Sequence, residues 1–391
     1  MSAQRVLIAT PRSRQTGGTI FGLGDPVGSA LIRGRPLDAW REGASRGEGT
    51  LTGPAFVYGD DTFATPTMEA ALAAVGTGKQ EVQRLARAPT GAGGLSDPLG
   101  RLPRDSVGRL LFDLWYVPAG VTADLSVTDA EGEPLVGASP VDVDVRTRAF
   151  DVPADPQVTG TDHLTLTFAG ASCGPVGHWV EVMRMNLLVT GGQLLEAPRG
   201  VALRRYLWAA LKAGSGAPER AAGKLNLIAR GAVVHPSAVV EFSVLEAGAR
   251  VGPGAVVRSS WLGPGARVGS QALCELSAVC EGAQVQRQAM CVASTLYPGA
   301  RTGGVVQFGL CGRDSAQKMF AVGTDMKLDG PVTTPSFEGM AAIDVGYLGV
   351  GFGHRSFVGS GVWIAPGRFV PDDARIARPA DLMVLKPGEG R

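Results

Sequence analysis

A chain of 391 residues, 45% of them hydrophobic, is long enough for two or three domains and for a sizeable buried core. Its 37 Lys and Arg against 36 Asp and Glu leave a formal net charge of +1, which argues against a nucleic-acid partner or a membrane surface held by bulk electrostatics. No apolar run approaches the roughly 18 residues that span a bilayer, and MSAQRVLIATPRSR has no stretch apolar enough for a signal peptide, so a cytoplasmic location is expected.

The first two hundred residues read as mixed α and β. RVLIAT is a short buried strand, followed by Gly17, Gly18, Gly22, Gly24 and Gly28, a turn that is either a phosphate cradle of backbone amides or a plain surface loop. GPAFVYGD is a second strand, and PTMEAALAAV a helix opening at Pro66 in the favoured first turn. LLFDLWYV, ADLSVTD and HLTLTFA read as further strands, and HWVEVMRMNLLVTGGQLLEAP with RGVALRRYLWAALKAG as one or two helices. The polar, glycine-bearing GSGAPERAAGK sets a domain boundary near residues 213–224.

From Ile228 the character changes. Aliphatic markers recur in steps of six, six and five: Ile228, Val234, Val240, then Leu245, Val251, Val257, then Leu262, Val268, Cys274, then Val279, Val285, Cys291, then Leu296. A small residue usually follows four places later, as at Ala232, Ala249, Ala266, Ala283 and Ala300. A repeat of 17 residues with three sides predicts a solenoid, here a left-handed parallel β-helix of hexapeptide repeats whose like markers stack coil on coil about 4.8 Å apart. The pattern is predicted to stop after Thr302 and to return at Phe352, Val358, Ile364, Val370 and Ile376, so residues 303–345 are expected to be a loop excursion. Long loops leaving a regular scaffold concentrate binding residues, and this one contains Arg313, Asp314, Lys318, Lys327 and Asp329.

Folding the sequence on its period brings side chains together. Cys274 and Cys291 share an inward column and read as small buried hydrophobes. The five cysteines include no CxxC and no interleaved histidine, so no metal site is expected. Glu241, Arg258 and Glu275 stack outward with alternating sign, as a structural ladder should. Arg250, Arg267 and Arg301, with Gln284 between, instead form a stripe of like charge, which repels unless an anion or acid meets it. Phosphates of coenzyme A or a sugar nucleotide, a neighbouring subunit's acids and plain hydration are the alternatives.

A mixed α/β region, a helical connector and a β-helix broken before its last coils resemble the family of bifunctional N-acetylglucosamine-1-phosphate uridyltransferase/glucosamine-1-phosphate acetyltransferases and its nucleotidyltransferase-like relatives. FGHRSFVGSGVWIAPGRFVPDDARIARPADLMV has the form of that family's closing coils, and CELSAVCEGAQV resembles the coil before its acetyltransferase site. The resemblance implies an α/β amino-terminal domain of degenerate nucleotidyltransferase-like kind over 1–177, with 104–170 as a candidate inserted β module. A connector over 178–224 and the left-handed β-helix over 225–391 follow. It further implies a homotrimer, acetyl-CoA or another acyl-CoA lying outside the helix where subunits meet, and an amino-sugar phosphate or nucleotide-sugar acceptor. Two departures stand out: no histidine lies between His235 and His354, where the family places its general base, and LIATPRSRQTGG offers Arg12 and Arg14 but lacks the family's later Pro-Lys. FVYGDDTF resembles a strand ending in a metal-binding acid, Asp60 or Asp61, which would call for Mg2+ if the amino-terminal domain is active.

Acyl transfer to an amine needs a base and donors for the oxyanion. Of four histidines, His354 opens a coil just after the expected excursion, beside Arg355, and is the candidate base. Arg313, Asp314, Lys318 and Lys327 are the candidate substrate-binding residues, and Arg250, Arg267 and Arg301 the candidate cofactor-binding ones. Cys311, beside Arg313, is a lesser candidate as a nucleophile. An acyltransferase leads, ahead of a sugar-1-phosphate nucleotidyltransferase and a catalytically silent trimeric scaffold.

Overall fold

The computed structural model describes residues 3–87, 97–130, 132–153, 163–193, 204, 207, 208, 211, 224–327, 329–343 and 346–379. Residues 1–208 with 336–344 form one compact unit, and residues 209–335 with 345–391 a second. The boundary expected at 213–224 falls almost wholly outside the described residues.

The first unit is built on a six-stranded sheet in the order Ser139–Val141, Gln83–Arg87, Leu110–Val117, Ala55–Gly59, Gln4–Ile8, Ser45–Arg46. Ala55–Gly59 is buried along its whole length, as a strand covered on both faces must be, and runs parallel to Gln4–Ile8. LLFDLWYV pairs with both Ala55–Gly59 and Gln83–Arg87, so the candidate inserted module contributes a central strand of the main sheet. ADLSVTD supplies only the short strand Thr122–Asp124. The helix Pro66–Gly76 starts at the expected proline, with the Thr65 hydroxyl accepting from Met68 N at 3.4 Å. The helix Trp179–Gly192, expected in the connector, is instead buried on nearly every side within this unit. Gly192 permits its close approach to the strand His163–Ala169, because a Cβ there would lie 2.0 Å from Ala169 O.

The second unit is a parallel β-helix with three flat sides, sheets of eight, eight and seven strands, as the left-handed form requires. Leu245, Leu262, Val279 and Leu296 stack inward on the first side, Val251, Val268 and Val285 on the second, and Val257, Cys274 and Cys291 on the third, all in one core. The step of five falls at the corner between the third and first sides. Phe242, Ser259, Leu276, Ala293 and Phe308 take the left-handed conformation there, with φ of 45–49°. A serine follows at four of these corners, and each hydroxyl bridges two coils. Ser243, Ser260, Ser277 and Ser294 donate to the carbonyl two residues back at 2.7–2.8 Å. Each accepts the backbone N–H of the equivalent residue one coil on, at 3.0–3.2 Å. Asn226 opens the ladder by accepting from Ser243 N at 3.0 Å. The missing residue is thus absorbed by a repeated side-chain bridge that leaves no corner amide without an acceptor.

The coil continues further than the aliphatic pattern predicts. Val305–Gln307, Leu310–Cys311, Ala316–Gln317 and Val322–Gly323 are regular strands of the three sides. Thr295 pairs with Leu310, so this coil has 15 residues instead of 17. The shortening lies at Gly303–Gly304, where a Cβ on Gly304 would meet Ala321 O at 2.0 Å. The inward markers also become polar. Thr302 Oγ1 donates to Gln317 Oε1 at 2.6 Å, and Gln317 Nε2 donates to Val305 O and Ala321 O at 3.1 Å each. The true excursion leaves at Asp325 and closes where Leu348 N donates to Asp325 O at 2.8 Å. It holds the paired strands Thr333–Ser336 and Gly339–Ala342. Thereafter Phe352, Val358, Val370 and Ile376 resume the stacked positions as expected.

Ser277→Ala removes a donor to Glu275 O and orphans the amide of buried Ser294. An unpaired buried amide costs about 1–3 kcal/mol, so the denaturant midpoint of the solenoid should fall accordingly. A variant as stable as the parent would remove the ladder's structural role.

Candidate functional site

Alternation along each strand gives the solenoid three different outer faces. On the first side Val244, Trp261, Ala278, Thr295 and Leu310 point outward yet are buried. On the second, Arg250, Arg267, Gln284 and Arg301 stack in register, the three arginines exposed. On the third, Val239, Val256, Leu273, Met290, Val305, Val322 and Trp363 form one apolar column running through seven coils. Beside that column the Glu241–Arg258–Glu275 ladder forms as expected, at 2.8 and 3.1 Å, and the hydrogen bonds that Arg258 donates, first that to Glu241, raise its pKa.

The arginine stripe has no such compensation. Among the described residues no ion pair meets Arg250, Arg267 or Arg301, whose register neighbours sit at the inter-coil spacing of about 4.8 Å. Two residues further along the same strands stand Gly252, Gly269 and Gly303. Gly269 is required by close approach, since a Cβ would lie 2.6 Å from Arg287 N. The stripe therefore borders glycine in three of its four coils, and Gln286 fills the position in the fourth, its Oε1 2.8 Å from where a Cβ on Gly303 would lie.

Beyond Gly303 two adjoining hollows open between the second and third sides. One, of about 240 Å³, is lined by Arg287, Gln288, Gly303, Gly304, Met319 and Phe320 among others. The second, of about 740 Å³, lies against Ser360–Trp363 and Ala377–Pro379. Phe320 and Trp363 border both, and each ring is 73% exposed.

The residues expected to hold substrate lie on regular coils, apart from Lys327. Asp314 occupies a corner at φ 55°, the position of Gly299 one coil earlier, and belongs with Arg355 and Asp373 in a corner stack of alternating charge. The Arg313 guanidinium lies 5.4 Å from the centre of the Tyr297 ring, and its backbone N–H donates to His354 Nδ1 at 2.8 Å. Lys318 is exposed, its ammonium over the Phe357 ring at 5.5 Å. Lys327 is half-buried at the root of the excursion; among the described residues no hydrogen bond or ion pair joins it to the other three. Arg313, Asp314 and His354 are therefore neighbours, while Lys318 and Lys327 stand apart from them.

His354 is only 4% exposed. Its backbone N–H donates to Asp372 Oδ1 at 2.8 Å, and its ring stacks on Tyr297 at 6.2 Å between centres. Because Nδ1 accepts the Arg313 amide, the geometry assigns the proton of the neutral ring to Nε2. Cys311 faces the core, and burial holds its thiol well above the ordinary range, so it is not a nucleophile.

In the first unit a hollow of about 280 Å³ lies at the carboxyl ends of the parallel strands, where open α/β sheets place their ligands. Gly18, Gly28, Asp38, Arg41, Arg46, Asp60 and Asp61 line it. Asp61 is fully buried, and Arg12 engages both its oxygens at 2.6 and 2.8 Å. Arg12 also reaches Asp113 at 2.9 Å, which Arg84 meets from the other side at 2.9 Å before pairing with Glu133 at 3.0 Å. Arg101 and Glu181 form a further pair at 2.5 Å. None of this network was visible in the sequence, whose period-free first half gives no rule for which charges meet. The arrangement leaves Asp61 no oxygen for a cation, while Asp60 Oδ1 and Arg41 Nε are buried without hydrogen-bond partners among the described residues. Burial lowers the Arg41 pKa to about 10 against the pull of nearby acids. Asp38 and Asp60 are the carboxylates left to this hollow; Mg2+ takes one or two carboxylates together with substrate phosphates.

Burial alone would raise the Asp61 pKa, but the charge and hydrogen bonds of Arg12 outweigh it and hold the carboxyl below its ordinary range. Its contribution to stability is thus present above the ordinary carboxylate pKa and is lost as pH falls through the lowered folded value. Arg12→Met, which takes the direct ion pair from buried Asp61 and leaves Asp113 with Arg84 alone, should cost the first unit about 3–5 kcal/mol at neutral pH. Chemical denaturation followed by tryptophan fluorescence would show it, and an unchanged midpoint would contradict it.

No protein-family model matches the chain, and no curated protein matches it. Among solved structures it is similar to the acetyltransferase domain of PglB from Neisseria gonorrhoeae FA1090 in complex with acetyl coenzyme A, at 21% identity and a TM-score of 0.14. The match covers 39% of this chain and 50% of that one, so it spans half the length of the neighbour.

Proposed function

We propose that the chain is an acyl-CoA-dependent acyltransferase acting on an amino-sugar phosphate or nucleotide sugar. The observation that carries this reading is the arginine stripe. Arg250, Arg267 and Arg301 stand in register on one flat side with no ion pair among the described residues, beside glycines at 252, 269 and 303. Stacked like charges are unfavourable unless an anion meets them, and the phosphates of coenzyme A supply one with a matching linear reach. A bound thioester would supply an activated acyl group; the chain's own contribution is to fix the phosphates at the stripe. Arg313, with Asp314 beside it, is the cation for an acceptor phosphate and its hydroxyl or amine groups, and Lys318 and Lys327 would meet an acceptor only at separate points.

The geometry of His354 favours positioning over proton abstraction. With Nδ1 accepting a backbone N–H, the neutral ring presents a hydrogen at Nε2 and no free lone pair. Its role in this reading is to hold the Arg313 backbone and the Tyr297 ring. The first four members of the third side's apolar column, Val239, Val256, Leu273 and Met290, about 14 Å long, are the surface through which the solenoid packs as a homotrimer. The alternative of nucleotidyl transfer has less support, because Asp61 is bound by Arg12 in the hollow where a metal would be needed.

Calorimetric titration with acetyl-CoA should give saturable binding. The variant Arg250→Ala/Arg267→Ala/Arg301→Ala should weaken it by tenfold or more, since each charge-assisted contact is worth roughly 1.5–3 kcal/mol. Equal affinity in the variant would move the cofactor off the stripe, and no binding at millimolar ligand would leave the scaffold reading. For His354→Ala, a positioning role is expected to raise KM and leave the shape of the pH–rate profile unchanged. A fall of about 10²–10⁴ in kcat with loss of the acidic limb would restore it as the base.

A further inference from the structure

A residue in the left-handed conformation recurs at the corner between the second and third sides, and glycine or a flexible polar side chain usually supplies it: Gly254, Gln271, Gln288 and Gly361. Phe320 takes that position at φ 62°. A bulky aromatic residue is unfavourable there, and 73% exposure means that its ring gains little from packing in return. Such an outlier is a pointer to function. Trp363, equally exposed, ends the apolar column and borders the same two hollows. Gly303 and Gly304 line the smaller hollow, and a Cβ on Gly304 would lie 2.0 Å from Ala321 O, which keeps that position free of a side chain. Arg287 lines the smaller hollow and Arg378 the larger, so the aromatic groove is rimmed by cations, and Arg301 of the stripe lies two residues before Gly303.

We propose that the groove between Phe320 and Trp363 receives the apolar chain of an acyl thioester, so that the transferred group is an extended alkyl or aryl acyl group and not acetyl. This rests on the acyltransferase reading and deepens it by naming the acyl class. Anionic carrier and apolar chain would then lie along one continuous path, phosphates on the arginines and chain against the two rings. An acetyl group would be too short to reach the rings and would leave about two aromatic faces in water.

The test is calorimetric titration of the full chain with acetyl-CoA and octanoyl-CoA, repeated on Phe320→Ala and Trp363→Ala. Full burial of one methylene strengthens binding about fourfold, and an open groove covers only part of a chain, so octanoyl-CoA should bind roughly tenfold or more tightly than acetyl-CoA. Each variant should bring the two affinities together while leaving acetyl-CoA binding within about twofold and the melting temperature unchanged, both rings being exposed. Equal affinities for the two thioesters in the parent chain would overturn the acyl-class proposal while leaving the acyltransferase reading intact. Failure of both thioesters to bind would overturn the two together. Sedimentation of the parent chain with phosphatidylglycerol vesicles, lost in Trp363→Ala and accompanied by no preference for the longer thioester, would assign the rings to a lipid surface and overturn the proposal. A change of oligomeric mass in either variant, again with no chain-length preference, would assign them to a second copy and overturn it too.

Discussion

Everything in the second unit depends on the parallel ladder that sets each coil on the last at about 4.8 Å. In that arrangement every residue has its own equivalent as a neighbour, so any choice made once in a coil is repeated against itself. Apolar inward positions become columns, a corner serine becomes a ladder of bridging hydroxyls, and charges must alternate or repel. The Glu241–Arg258–Glu275 stack satisfies that last condition with two ion pairs. The arginines of the second side do not, and their position on the ladder makes them informative: a single exposed arginine needs no explanation, whereas three in register do.

The same constraint makes departures legible. Gln317 is a polar side chain turned into the core, and it is tolerated because Thr302, Val305 and Ala321 satisfy its amide in full. Phe320 is an aromatic residue at a corner that elsewhere takes glycine or glutamine. Gly303 and Gly304 shorten one coil by two residues without breaking its register. These departures fall within a stretch of about twenty residues, immediately before the excursion, and two hollows of this unit lie beside them. The regular coils hold the scaffold rigid, and the irregular one offers surface on which chemistry can be placed.

Much of the solenoid was readable from its period: the three sides, the facing of Cys274 and Cys291, the compensated ladder on the third side and the stripe on the second. The reading failed where the period was carried by something other than aliphatic residues. Polar Thr302 and Gln317 at inward positions and the two-residue deletion at Gly303–Gly304 together erase the aliphatic signal, so a regular coil has the sequence of a loop, and Arg313, Asp314 and Lys318 sit on that coil and not on the excursion. The serine ladder, at intervals of 17, was present in the sequence and went unread because its effect is local to a corner. In the first unit the strands and the Pro66 helix were recognisable from their apolar runs, but their order was not. The Arg12–Asp61–Asp113–Arg84–Glu133 network joins residues 29 to 101 positions apart, and nothing local in Asp113's strand marks it as the hub of buried charge.

The central claim is that a flat, cationic side of the coil binds an anionic acyl carrier. The most direct measurement is a crystal structure of the chain with a hydrolysis-resistant acyl-CoA analogue. The account requires the phosphates within hydrogen-bonding reach of Arg250, Arg267 or Arg301 and the acyl end directed past Gly303. Phosphates seated in the hollow of the first unit beside Arg41 and Arg46, with the stripe left to solvent, would contradict it.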